Sequence, residues 1–311
     1  MIHASLRTAV LTLLVVAAAS LPPPATAAGT LHRLYNLDYN DGGIISVFQV
    51  VNGEASLATH FKPSSSGAHG LAADRQGRIY TTVTSPGGMP CKACVEVFSP
   101  AGSLVAQLAA PILPGASGAP NLTDISVDLR GNVYVTDNGQ QAVYYYTPAG
   151  KTWSGPTVVV QNSVDSSTIL AGPYGDHIVL SGGCGFQSVR TYVRGSNGFF
   201  SGPCFPINDI ALIGGATDDR GAVLTPVDGP FPYVSITEVN GQGGLFQIPD
   251  SHGIVTGIAV TLGGAIAYVA DHHGGKVYAY ARPTNGWPAA TPALVATYAG
   301  FHDLDVIAVD P

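Results

Sequence analysis

The chain has 311 residues, 46% hydrophobic and only 11% charged, with 13 Lys and Arg against 20 Asp and Glu for a formal net charge of −7. It contains no Lys/Arg cluster, and an acidic balance without one repels a phosphate backbone, so nucleic acid is excluded as a partner. With 39 Gly, 14 Tyr and abundant Ala and Val, the composition suits many short strands joined by tight turns rather than helices.

Residues 1–28 stand apart from the rest. Arg7 gives a short basic start, AVLTLLVVAAA (9–19) is an apolar run, and LPPPATAA brings small residues at Ala25, Ala27 and Ala28. This is the pattern of a secretory signal peptide with an A-x-A cleavage site. The apolar run is shorter than the roughly 20 residues a membrane span requires, and the prolines that follow would stop a helix. No Cys stands at the cleavage site to take a lipid, and DLDVIAVDP at the C-terminus lacks the hydrophobic tail of a GPI signal. The expected product is a secreted single domain over 29–311, or a periplasmic one in a Gram-negative host, monomeric and without a membrane span. Losing Arg7 alone among the charged residues leaves 12 basic against 20 acidic, a net charge of −8.

From there one phrase recurs along the chain. RLYNLDYNDGGIISVFQVVNGEA (33–55) reads as two strands, and LATHF (57–61) as a third. GLAAD (70–74) then opens a unit continued by GRIYTTVTSPGGMPCKACVEVFSPAG (77–102). DISVD (124–128) leads into GNVYVTDNGQQAVYYYTPAGK (131–151), and GIAVT (257–261) into GGAIAYVADHHGGKVYAYARPTNG (263–286). Each unit has an apolar strand ending in Asp or a small residue, a Gly turn, a β-branched or aromatic strand, a polar turn, a third strand and a looser fourth. Alternation such as V-Y-V-T predicts half-buried strands. The first strands end at Asp74, Asp128, Gly172, Asp218, Thr261 and Asp310, with gaps of 54, 44, 46, 43 and 49 residues. Four strands in about 40–50 residues is the period of a propeller blade, so six ends predict six blades. VIAVD (306–310) is a first strand with nothing after it, and the N-terminal strands supply its missing partners. The fold expected is therefore all-β, a six-bladed β-propeller of four-stranded blades whose last blade is closed by both termini.

GNVYVTDNGQQAVYYYTPAGK with the preceding DISVDLR resembles an NHL repeat, and the six-bladed pattern resembles the senescence-marker-protein/gluconolactonase group. YVADHHGGKVYAYA is similar to the seven-bladed YVTN-type propellers, but six first strands are counted here. The gluconolactonase resemblance implies a divalent metal held by a Glu near the start, Asn residues and an Asp. This chain has no Glu leading into a first strand, because Glu54 lies in the turn VVNGEA.

In such a ring the loops leading into the first strands meet at the mouth of the central channel. Here they carry His69, Thr123, Asp124, Ser167, Thr168, Asn208, Asp209, His252, Thr256, His302, Asp303 and Asp305. Carboxylates and imidazoles converging there would suit Ca²⁺ or Zn²⁺, with Asp124, Asp209 and Asp303 the metal candidates. The plainer reading is that these polar residues cap strand ends and meet water. Asp137 and Asp271 are expected to bond the backbone of their turns, and His272 and His273 to sit in a solvated turn. Tyr144 and Tyr146 should face one neighbouring blade and Tyr145 the other. The even set Cys91, Cys94, Cys184 and Cys204 suits disulfides in a secreted protein, and locality favours Cys91–Cys94 and Cys184–Cys204. No GxSxG and no Ser/His/Asp set is recognisable. Two functions follow: a scaffold binding a small molecule or an extracellular protein at the channel mouth, or a metal-assisted lactonase-type hydrolase, lyase or cyclase acting there.

Overall fold

The computed structural model describes residues 33–38, 42–64, 67–84, 93–116, 118–161, 168–181, 188–206, 214–227, 232–238, 242–248, 254–261, 264–287 and 290–309. Three strands come first: β1 (Arg33–Asp38), β2 (Ile44–Val51) and β3 (Glu54–Phe61). The first complete sheet holds β4 (Ala68–Ala73), β5 (Ile79–Thr84), β6 (Ala93–Phe98) and β7 (Leu104–Ala109). The second holds β8 (Leu122–Val127), β9 (Val133–Asp137), β10 (Ala142–Ala149) and β11 (Thr152–Gln161). The third holds β12 (Ile169–Ala171), β13 (His177–Ser181), β14 (Ser188–Gly195) and β15 (Gly198–Pro206). The fourth is β16 (Ala216–Thr217), β17 (Val223–Val227), β18 (Tyr233–Thr237) and β19 (Gly243–Gln247), and the fifth β20 (Val255–Val260), β21 (Ile266–Asp271), β22 (Lys276–Ala281) and β23 (Ala293–Tyr298). β24 (Val306–Val309) then pairs antiparallel with β1, Leu34 opposite Val309 and Leu37 opposite Val306, giving the order β24-β1-β2-β3. The first strands β4, β8, β12, β16, β20 and β24 touch in that cyclic order, and β24 returns to β4. Six antiparallel blades thus form a closed ring, with the first three described strands and the last one sharing a blade.

Each predicted strand-end residue among the described ones stands directly after its first strand. There it organises the turn. Asp74, Asp128 and Asp218 each accept through Oδ1 from the backbone N–H groups two and four residues on, at 2.8–2.9 Å. Gly77, Gly131 and Gly221, with φ of 70°, 80° and 83°, complete these turns in a region closed to most side chains. Oδ2 of Asp74 also accepts from the Tyr80 hydroxyl at 2.7 Å, and Oδ2 of Asp128 from Tyr134 at 3.2 Å. Burial, reinforced by the adjacent carboxylate, holds both phenols above their ordinary range, so they remain donors. In the third blade Gly172 replaces the Asp, and the His177 ring packs over it. The β2–β3 hairpin turns on Asn52-Gly53, both with positive φ, which matches the strand twist.

The second strands differ from the half-buried expectation. β5, β9, β13, β17 and β21 are buried almost throughout. Both faces of each blade are covered by its neighbours, so polarity has no outer face to occupy. Six inter-blade clusters form the core. Tyr144 and Tyr146 pack with Tyr80 and Val95 of the first blade, while Tyr145 stacks on Tyr134 at 5.6 Å and faces the third. The outer strands β3, β7 and β23 are largely exposed. Among the described residues no helix is long and apolar enough to cross a membrane.

Candidate functional site

Each first strand is paired on one side only, so its other backbone edge faces the central channel. The cavity there measures about 180 Å³ and is lined by residues of all six first strands. Leu71, Ile125, Ile169, Ile258 and Ile307 border it, but their side chains are buried in the seams between blades, so much of the wall is backbone. Among the described residues, Asp124 is the one ionisable side chain in that lining.

Its place in the repeat is unusual. Four residues before each strand end stand Gly70, Asp124, Thr168, Gly214, Gly257 and Val306. Three blades use Gly because the neighbouring strand comes too close for a Cβ: one on Gly70 would lie 2.8 Å from Oδ1 of Asp124, and one on Gly257 2.7 Å from the Asp305 carbonyl. Gly70 therefore leaves the space that the Asp124 carboxylate fills. Oδ2 of Asp124 accepts from the Ile169 N–H of the next blade at 2.9 Å, and Ser126 Oγ accepts from the Ala171 N–H at 3.0 Å. The two side chains thus cap the open edge of β12.

Burial pushes the Asp124 carboxyl up to about 7, against the lowering pull of the Ile169 and Ile125 N–H groups. Its ionised form is disfavoured in the folded state, so its penalty is absent below the ordinary value of 3.8 and complete above about 7. Stability from this group falls as pH rises through that window. At about 1.4 kcal/mol per unit, Asp124→Asn is expected to raise stability at pH 8 by about 2–4 kcal/mol and to give no gain at pH 4. Urea unfolding at the two pH values checks this, and an equal effect at both would refute the assignment.

The other expected mouth residues are dispersed. His69, His302 and Asp303 are exposed, and Asp303 has a positive φ of 46°. Thr123 bonds Thr136 through their hydroxyls at 3.0 Å, the Thr168 N–H donates to Ser181 Oγ at 2.9 Å, and Thr256 donates to the Leu304 carbonyl. Ser167, Asn208, Asp209 and His252 lie outside the described residues. Among the described residues no three His, Cys, Asp or Glu side chains are placed to hold a metal, and Asp209, the third member of the expected centre, lies outside them. Asp137 and Asp271 bond their turns as expected, accepting from the Gln140 and Gly274 N–H groups at 3.0 and 2.9 Å.

His272 does not sit in a merely solvated turn. Its side chain is only 15% exposed, Nδ1 donates to the Leu304 carbonyl at 2.9 Å, and Asp305 Oδ1 lies 3.3 Å away. The Asp305 N–H is held in turn by Asn36 Oδ1 at 2.8 Å, and Asn36 Nδ2 donates to the Asp303 carbonyl, so β1 fixes this loop. None of the His272 contacts uses Nε2. Sequence reading missed the pair because its members lie in different blades and the HH dipeptide looks like an ordinary polar turn. Among the described residues no cysteine is a free thiol, while Cys91 and Cys184 lie outside them.

Comparison with known proteins adds the fold. No family model matches the chain, and no curated protein matches it in sequence. Solved structures do. A nidogen/laminin complex contains a chain aligned with TM-score 0.59 at 14% identity, covering 91% of this chain and 99% of that one. A protein from Lactobacillus plantarum aligns with TM-score 0.54 at 15% identity over 90% of this chain and 85% of its own. A functionally unknown protein from Desulfotomaculum acetoxidans gives 0.54 at 12%, over 86% and 80%. The shared feature is the propeller fold. At these identities fold is what the likeness conveys, and the chemistry has to be read from the channel itself.

Proposed function

We propose that the chain is a secreted binding propeller that holds a small ligand in its central channel beside Asp124. One observation carries this reading: a lone carboxylate stands in the central channel at a ring position where three other blades place Gly. A partly buried carboxylate without a charged partner is costly for a scaffold that only has to fold. The signal-peptide pattern and the absence of free thiols among the described cysteines support an extracytoplasmic setting. A propeller of this fold also occurs in a nidogen/laminin complex, so a protein partner on the same scaffold is the broader form of the proposal.

Protein secreted by its own signal should begin near Gly29, and non-reducing peptide mapping should link Cys184 to Cys204 and Cys91 to Cys94. Native mass spectrometry of that material should show a bound small molecule that is absent from an Asp124→Asn preparation. Four free thiols would end the secretory part of the reading. A ligand retained undiminished by the variant would move the site away from the channel.

The His272–Asp305 pair favours a second reading, an enzyme at the mouth with His272 as general base. The Leu304 carbonyl fixes the proton on Nδ1 and leaves Nε2 to accept one from a substrate. A divalent Ca²⁺ or Zn²⁺ belongs to this reading, and metal analysis of the purified protein tests it. Less than a tenth of an equivalent, with melting unchanged by chelator, would remove the metal from it.

A further inference from the structure

The channel reading can be taken further, to the class of ligand. Three features of the Asp124 site bear on it. First, its environment contains no opposite charge. The groups that meet the carboxylate are Gly70 on β4, the Ile125 N–H on β8 and the Ile169 N–H on β12, all neutral; His69, beside Gly70, is exposed. Among the described residues no Lys, Arg or His lines the cavity. Second, the cavity of about 180 Å³ is walled chiefly by the backbone edges of the first strands, since the side chains of Ile125 and Ile169 turn away into the seams between blades, and it has room for a small molecule. Third, the unpaired edges of the first strands bring backbone carbonyls to the same space, acceptors for additional N–H donors.

We infer that the channel takes a small organic cation, with its ammonium group against Asp124. This rests on the channel being the binding site. A zinc ion fits the setting poorly, since Zn²⁺ takes about four donors, mostly His, Cys and carboxylate, whereas the described residues bring one carboxylate. An anionic ligand would face that carboxylate, and a neutral one would leave it unpaired. An ammonium satisfies it with one charge-assisted hydrogen bond and donates its other N–H groups to carbonyls of the strand edges.

Proton linkage gives the inference a distinctive signature. The carboxyl carries a proton below about 7, and the ammonium selects its ionised form. Binding of the cation must therefore release close to one proton at pH 6. Its affinity must rise about ten-fold per pH unit up to about 7 and level off above it.

Benzylammonium and benzyl alcohol, a charged and a neutral probe of nearly equal shape, test this on the mature protein by titration calorimetry in two buffers of different ionisation enthalpy. The expected result is saturable one-to-one binding of benzylammonium, with benzyl alcohol at least about 10-fold weaker. Proton release should accompany the cation alone, and Asp124→Asn should lose at least about 10-fold in affinity. No saturable binding at 10 mM benzylammonium (on the order of the weakest useful affinity), equal binding of the alcohol, or an affinity independent of pH between 5 and 7 would overturn it. Should Asp124→Asn fail to fold, the proton release and the alcohol comparison on the unaltered protein still decide the matter. A neutral or anionic molecule found in the channel of secreted protein would overturn the cation class and leave the channel site standing.

Discussion

Deletion of residues 303–311 should abolish soluble, cooperatively folding protein. β24 is the innermost strand of a blade whose other three strands come from the far end of the chain. The deleted segment contributes Leu304, just before β24, and Val306, Ile307, Ala308 and Val309 within it, all buried, to the clusters on both sides of that blade. At about 1.5–3 kcal/mol for each large apolar side chain, their loss is on the order of 10 kcal/mol, comparable with the whole stability of a typical domain. The truncation also leaves Asn36 without the Asp303 carbonyl and the Asp305 N–H, and strips β1 of its partner. The exposed edge of β1 would then template aggregation. Expression in soluble form, size-exclusion chromatography and a thermal melt measure the outcome. A soluble truncated chain with unchanged melting would show that the last blade does not depend on this strand, and the closed ring would be refuted.

This closure was readable before any coordinates because the signals that define a blade are local. A D-x-x-G turn needs an Asp to bond two N–H groups and a Gly at positive φ, and that chemistry recurs after Asp74, Asp128 and Asp218, while Gly172 and Thr261 keep only the Gly three residues on. The count of six and the unpaired VIAVD follow from it. What escaped the sequence depends on packing between blades. V-Y-V-T in β9 alternates as though one face were wet, yet the ring covers both faces and buries it. Asp124 and Asp305 were expected to meet at the mouth. Instead Asp124 bonds forward to Ile169, and Asp305 lies beside His272 of the preceding blade. Both carboxylates thus serve the seam between neighbouring blades. One signal for Asp124 was nevertheless available. Aligned four residues before the strand end, it is the lone charge in a column of Gly, Thr and Val.

That same column yields the second large effect, Gly257→Val. At Gly257 a Cβ would lie 2.7 Å from the Asp305 carbonyl oxygen, 3.0 Å from Ile307 Cγ1 and 3.1 Å from the Ile307 N–H nitrogen. Two of these three neighbours are backbone atoms of β24 or the residue leading into it, so no rotamer change can clear them. Relief requires β20 and β24 to separate, which opens the seam that closes the ring and disturbs the Asp305 loop that holds His272. Overpacking a core costs about 1–3 kcal/mol where side chains can yield, and more where backbone must move. We expect at least about 3 kcal/mol for Gly257→Val, and a smaller loss of the same sign for Gly257→Ala, because the first added carbon already makes the contact. In a chain of this size that is a fall in Tm of roughly 6 °C or more for the valine variant. Gly70→Ala should behave alike and, by pressing on Oδ1 of Asp124, should also weaken whatever the channel binds. Differential scanning calorimetry of the three variants gives the comparison. If Gly257→Ala and Gly257→Val both melt within about 1 °C of the parent, then β20 and β24 are not in close backbone contact, and the Gly column has another cause.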